Sequence, residues 1–149
     1  IEKEADIVLV SAGGRPKDLN IYQAQKALGN ATRAVRPKGV IVLIAECPEG
    51  LGEANFEEYM VKYPLDEIIE RIRQKFVLGG HKAAAIARTL KKADVYFASA
   101  VDPDLIRACK MIPFASPQDA LDAAFEKCGS TSGVLVMPFG GSTVPFVRR

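Results

Sequence analysis

The chain has 149 residues, 48% of them hydrophobic and 26% charged, with 20 Lys and Arg against 18 Asp and Glu and a formal net charge of +2. That composition is too apolar for a disordered chain, and a chain this long can bury one real core. The near-neutral balance and scattered basic residues exclude the clustered basic face of a nucleic-acid binder, and no apolar run approaches the roughly 20 residues of a membrane span. Cys47, Cys109 and Cys128 are odd in number, widely spaced and without a C-x-x-C pair. They suit neither a disulfide framework nor a structural zinc site, and a reducing cytoplasm is the expected location. A single His in the chain means that any transition-metal site needs other ligands or another domain. The chain opens on Ile1 and Glu2-Lys3-Glu4, with no initiator Met and no signal peptide pattern. It reads as a piece of a longer protein.

In chain order, Asp6–Val10 is a continuous apolar run that ends in Ser11-Ala12-Gly13-Gly14. A helix follows from Leu19 to Val35, with Ile21, Ala24, Leu28, Ala31 and Val35 on one stripe at spacings of three and four. Pro37 and Gly39 stop it. Gly39–Ala45 is a second strand. Phe56–Tyr63 and Leu65–Phe76 read as helices separated by Pro64, and Lys82–Lys92 as a third with Ala83, Ile86, Ala87 and Leu90 on one side. Asp94–Ala98 is the next strand, Asp104–Lys110 a short helix, and Met111–Phe114 a weak strand demoted by Pro113. Pro117–Cys128 is a helix with Ser116 as its cap and Gly129 as its stop, and Gly133–Met137 is the fifth strand. Runs that are apolar throughout suit strands buried on both faces. The fold class is therefore α/β: a doubly wound, mostly parallel sheet of about five strands flanked by helices in three layers. Residues 1–149 read as a single domain.

Ligands of such sheets gather beyond the carboxyl ends of the strands, here Ser11–Asp18, Ala45–Gly52, Ser99–Asp102 and Pro138–Val144, and four site candidates stand out along the chain. Gly13-Gly14 allows a sharp turn and close backbone approach to a ligand, beside Arg15, Lys17 and a helix N-terminus suited to an anion. Neither G-x-G-x-x-G nor a P-loop is present. Tyr22, Gln23 and Lys26 share one helix face and offer a phenol, an amide and an ammonium, a set suited to a carboxylate and a hydroxyl. The same stretch also fits a cap, with Asn20 as N-cap and Gln23 three residues on. Gly79-Gly80-His81-Lys82 puts cations at a helix start, against the helix dipole, which points to an anion; His81 could also move a proton. Pro138–Pro145 supplies flexible backbone and the hydroxyls of Ser142 and Thr143. No residue stands out as a catalytic nucleophile or as one of a paired set of carboxylates.

Taken together, Ala5–Gly14, Pro16–Asn20, Tyr22-Gln23-Ala24-Gln25-Lys26-Ala27, Ala45-Glu46-Cys47, Glu49–Gly52, Gly79–Ala83 and Gly140–Thr143 resemble the C-terminal domain of the nickel-dependent lactate racemase family. That resemblance implies a two-domain α/β enzyme with its active site between the domains. It implies a nickel pincer nucleotide that takes a hydride from C2 of a 2-hydroxy acid and returns it to either face. It assigns the acid/base histidines, the cofactor and the nickel mainly to an N-terminal domain, and a Tyr-Gln-x-x-Lys substrate element to this one, here Tyr22, Gln23 and Lys26. It places His81 near the same cleft as a further substrate contact, and Gly13 and Gly14 beside the cofactor. In the lactate enzyme an aromatic residue lies near the Gly-Gly-His-Lys segment, whereas this chain has no Trp. The implied partners are a small anionic 2-hydroxy acid and the N-terminal domain of the same protein, with no nucleic acid and no membrane. By itself the fragment is expected to be inert. A rival reading is a stand-alone α/β ligand-binding or regulatory module that docks a nucleotide or a protein partner.

Overall fold

The computed structural model describes residues 1–148. Its elements in chain order are β1 (Ala5–Ser11), α1 (Ile21–Ala31), β2 (Val35–Ile44), α2 (Ala54–Lys62), α3 (Leu65–Gln74), α4 (Gly80–Lys92), β3 (Asp94–Ala98), α5 (Pro103–Ala108), β4 (Ile112–Phe114), α6 (Pro117–Cys128) and β5 (Val134–Met137), followed by a 3-10 turn over Gly140–Ser142. The strands form one sheet in the order β4-β3-β2-β1-β5, with every pairing parallel.

Successive side chains of a strand point to opposite faces, and here both faces are covered. Val8, Val10, Ile41, Leu43, Val95 and Phe97 pack beneath the apolar residues of α1 to α5. Ile7, Val40, Val42 and Tyr96 pack on Ala120 and Ala124 of α6. That double burial is why the central strands read as apolar runs, while Ile112 and Val136 on the edge strands stay exposed. Among the described residues no buried side-chain nitrogen or oxygen lacks a partner. No described helix is long and apolar enough to cross a membrane.

Most element bounds differ from the sequence reading by one or two residues, and the α1–β2 boundary differs by four. The helix ends at Ala31, and Val35 lies in β2 opposite Ala5. Val35 falls on the helical stripe by spacing alone; its β-branched side chain is fully buried in the sheet layer. Between the Ala5↔Val35 and Ile7↔Val40 pairs β2 carries extra residues, which bulge out with Lys38 at φ 63°. Pro37 sits in that bulge, where its missing N–H costs no ladder bond. Arg36 folds back from it to Asp6, Nε donating to Oδ1 at 2.6 Å, and the same carboxylate accepts from the Gly133 amide at 2.9 Å. The Arg36 guanidinium holds the Asp6 carboxyl below its usual range, with the Gly133 bond adding to the effect.

Candidate functional site

The sheet order puts β5 beside β1, while the connection from β1 leaves towards β2 on the other side. At such a reversal the connecting loops diverge and leave a crevice at the carboxyl edge. The loop after β1 and the turn after β5 meet there. Asn30 Nδ2 donates to the Gly140 carbonyl at 2.7 Å and Lys17 Nζ to Ser142 Oγ at 2.9 Å, which tie the last turn to α1 and to the first loop.

A cavity of about 230 Å³ opens at this crevice, lined by Ala12, Lys17, Gln23, Lys26, Ala27, Lys82, Gly141 and Ser142. Its charged groups are all lysines. Among the described residues none of Lys17, Lys26 and Lys82 joins an ion pair, although eight such pairs form elsewhere. A pocket that gathers unpaired cations and no carboxylate is built for an anion.

Local structure explains how each group arrives there. Gly13 and Gly14 take φ of 96° and 75°, which turns the chain off β1 and brings Lys17 back over the crevice. Asn20 caps α1, accepting from the Gln23 amide at 2.9 Å, and its own amide donates to Glu49 at 3.2 Å. The cap and the site share one stretch: Gln23 gives its backbone N–H to Asn20 while its side chain, with that of Lys26 one turn on, lines the cavity. Lys82, in the first turn of α4, donates from Nζ to the Tyr22 carbonyl at 2.9 Å and sits 3.8 Å from the centre of the Tyr22 ring. Tyr22 rests edge-on against the buried Phe56, with ring centres 5.6 Å apart. Burial lowers the Lys82 pKa, and the neighbouring charge of Lys26 lowers it further.

The sequence candidates divide accordingly. Gln23 and Lys26 line the cavity; Tyr22 does not, although its ring carries Lys82, which does. His81 does not line it. Its Nδ1 accepts from the Gly79 amide at 3.1 Å, an arrangement that leaves the ring proton on Nε2, and its ring lies 5.3 Å from that of Phe76. Phe76 thus supplies an aromatic group beside the Gly-Gly-His-Lys segment of this chain without Trp. Gly13 stands next to Lys17 and Phe139. Gly14 faces a second, wide-open cavity of about 580 Å³ with Asp18, Glu46 and Ser99. Sequence reasoning missed the Lys82–Tyr22 contact. The only local signal was a cation at a helix start, because no spacing relates residues 60 positions apart.

A family model described as the lactate racemase C-terminal domain matches residues 1–144. The chain is 32% identical over 143 residues to the lactate racemase of Lactiplantibacillus plantarum, covering 92% of this chain and 34% of that protein. It is 31% identical over 148 residues to that of Thermoanaerobacterium thermosaccharolyticum, covering 95% and 35%. The chain therefore spans about a third of the length of the curated relatives it matches. The structure superposes on the lactate racemase apoprotein from Thermoanaerobacterium thermosaccharolyticum with a TM-score of 0.90 at 28% identity, over 99% of this chain and 36% of that one. A Thermotoga maritima protein shares the fold at a TM-score of 0.59 and 13% identity, over 94% of this chain and 36% of that one. The parallel sheet, the crevice beside β1 and the match over nearly the whole length agree: this chain belongs to the lactate racemase C-terminal domain family.

Proposed function

We propose that this chain is the substrate-side domain of a 2-hydroxyacid racemase or epimerase that works with a nickel pincer nucleotide, in a cleft shared with an N-terminal domain of the same protein. The observation that carries the reading is the pairing of Gln23 and Lys26 on an anion-suited cavity at the strand ends. An ammonium and an amide hold a carboxylate through charge-assisted hydrogen bonds. Held there, the hydroxy acid has its C2 oriented for reaction, a contribution of positioning that leaves the hydride chemistry to the cofactor.

Among the described residues no three His, Cys, Asp or Glu side chains converge on a point where a metal could sit. No step through the metal is assigned to this chain's residues. Gly13 and Gly14 offer only backbone, with nothing within 4 Å of where a Gly14 side chain would begin, so their part towards a cofactor would be close approach. His81, with Nδ1 engaged by Gly79, can donate from Nε2 to an anionic oxygen across the cleft. Membership of the family does not favour the rival reading of a stand-alone binding module.

The test is to assay the full-length protein, loaded with nickel cofactor, against a panel of 2-hydroxy acids by chiral chromatography. Interconversion of the two enantiomers by the full-length protein, and none by the 149-residue chain alone, is the expected result. Failure to interconvert any 2-hydroxy acid overturns the reading.

A further inference from the structure

A single monocarboxylate needs one cation and one or two polar donors. The cavity beside β1 holds two such sets. Gln23 and Lys26 project from α1, while Lys17 and Ser142 come from the loop after β1 and the turn after β5. In the second set Lys17 Nζ donates to Ser142 Oγ, so the hydroxyl proton of Ser142 is free to donate onward and the Lys17 charge remains uncompensated among the described residues. Lys82 adds a third cation to the lining. At about 30 Å³ per water, 230 Å³ is room for about seven waters, more than a three-carbon acid displaces. A lone carboxylate would leave two of the three lysines without a counter-charge in a partly enclosed site, where like charges repel more strongly than in water.

We propose that the cavity takes a 2-hydroxy acid carrying a second carboxylate, with one carboxylate held by Gln23 and Lys26 and the other by Lys17 and Ser142. The assignment of the hydroxy acid rests on the function proposed above; the preference for two anionic groups rests on the cavity alone.

Two measurements separate these. The first is isothermal titration of the 149-residue chain with succinate, propionate and inorganic phosphate, at about 150 mM salt, where exposed charges are screened beyond about 8 Å. Succinate is expected to bind about tenfold more tightly than propionate, a difference of about 1.4 kcal/mol. Lys17→Met and Ser142→Ala should narrow that ratio towards one, and circular dichroism of each variant confirms the fold. Equal affinities for succinate and propionate, or tighter binding of phosphate than of succinate, would overturn the proposal. The second is the kcat/KM of the cofactor-loaded full-length protein for a four-carbon hydroxy diacid against lactate. A ratio favouring the diacid by about tenfold or more supports the proposal; a preference for lactate overturns the substrate assignment. Should no hydroxy acid turn over while the succinate preference persists, the racemase reading fails and the two-carboxylate cavity stands.

Discussion

Lys82 Nζ sits 3.8 Å from the centre of the Tyr22 ring and donates to the carbonyl of the same residue at 2.9 Å. One ammonium thus ties the first turn of α4 to the first turn of α1 and rests on the Tyr22 ring. The contact offsets part of what burial takes from the charge: a cation over an aromatic face gains roughly 0.5–2 kcal/mol depending on desolvation.

This arrangement predicts a pH dependence of stability. Burial, with Lys26 adding to it, lowers the Lys82 pKa from its ordinary 10.5. The unfolded chain therefore binds this proton more tightly than the folded one. The resulting penalty is fully present below the folded pKa and disappears as pH rises to the unfolded value. Urea midpoints of the wild-type chain should rise relative to those of Lys82→Met as pH climbs towards 10.5. Lys110 is also lowered by burial, and the comparison between the two proteins cancels its contribution. A difference that stays flat with pH would show that Lys82 is not held in this environment.

Lys26 is exposed in the cavity wall and joins no ion pair among the described residues. Lys26→Ala should leave stability within about 0.5 kcal/mol of wild type. In the full-length protein it should lower kcat/KM for the 2-hydroxy acid by about ten- to a hundredfold, since hydrogen bonds to charged groups contribute roughly 1.5–3 kcal/mol. Thermal melts of the chain and steady-state kinetics of the whole protein separate the two effects. Unchanged turnover would mean that this lysine is merely solvated.

Gly79 precedes α4 with φ of 89°. A side chain there would strike the Glu53 carboxylate and come within 3.0 Å of the Phe56 amide. Those two groups are the cap of α2, with Phe56 N–H donating to Glu53 at 2.7 Å. Gly79→Ala should therefore destabilise the chain by roughly 1–3 kcal/mol, which in a domain of this size lowers Tm by about 2–4 °C per kcal/mol. Calorimetry of the variant checks this, and a Tm equal to wild type would rule out the steric account.

The three thiols should differ in reactivity. Burial pushes Cys47 up to about 12 and Cys109 up to about 11, so neither carries appreciable thiolate near pH 8. Cys128 is only half-buried. Brief alkylation under native conditions should modify Cys128 alone, and all three cysteines in denaturant, as read by intact mass and peptide mapping. Rapid native labelling of Cys47 would contradict its buried environment.

The sequence by itself determined the layer architecture. Runs such as Ile7–Val10 and Val40–Ala45 are apolar at every position because helices cover both faces of the central strands. It also marked the helix that carries Gln23 and Lys26, since residues three and four apart on a helix meet whatever the rest of the chain does. The strand order, the end of α1 and the membership of the cavity were decided by tertiary structure alone. Val35 fits a helical stripe and a strand equally well by spacing, and pairing with Ala5 settles it. Lys17, Lys82 and Ser142 join Lys26 at one cavity from three separate segments, Ser142 because β5 lies beside β1 and Lys82 because α4 packs on α1. A net charge of +2 singles out no region. Folding gathers at one crevice three lysines that join no ion pair among the described residues, because long-range contacts place charges that composition can only count.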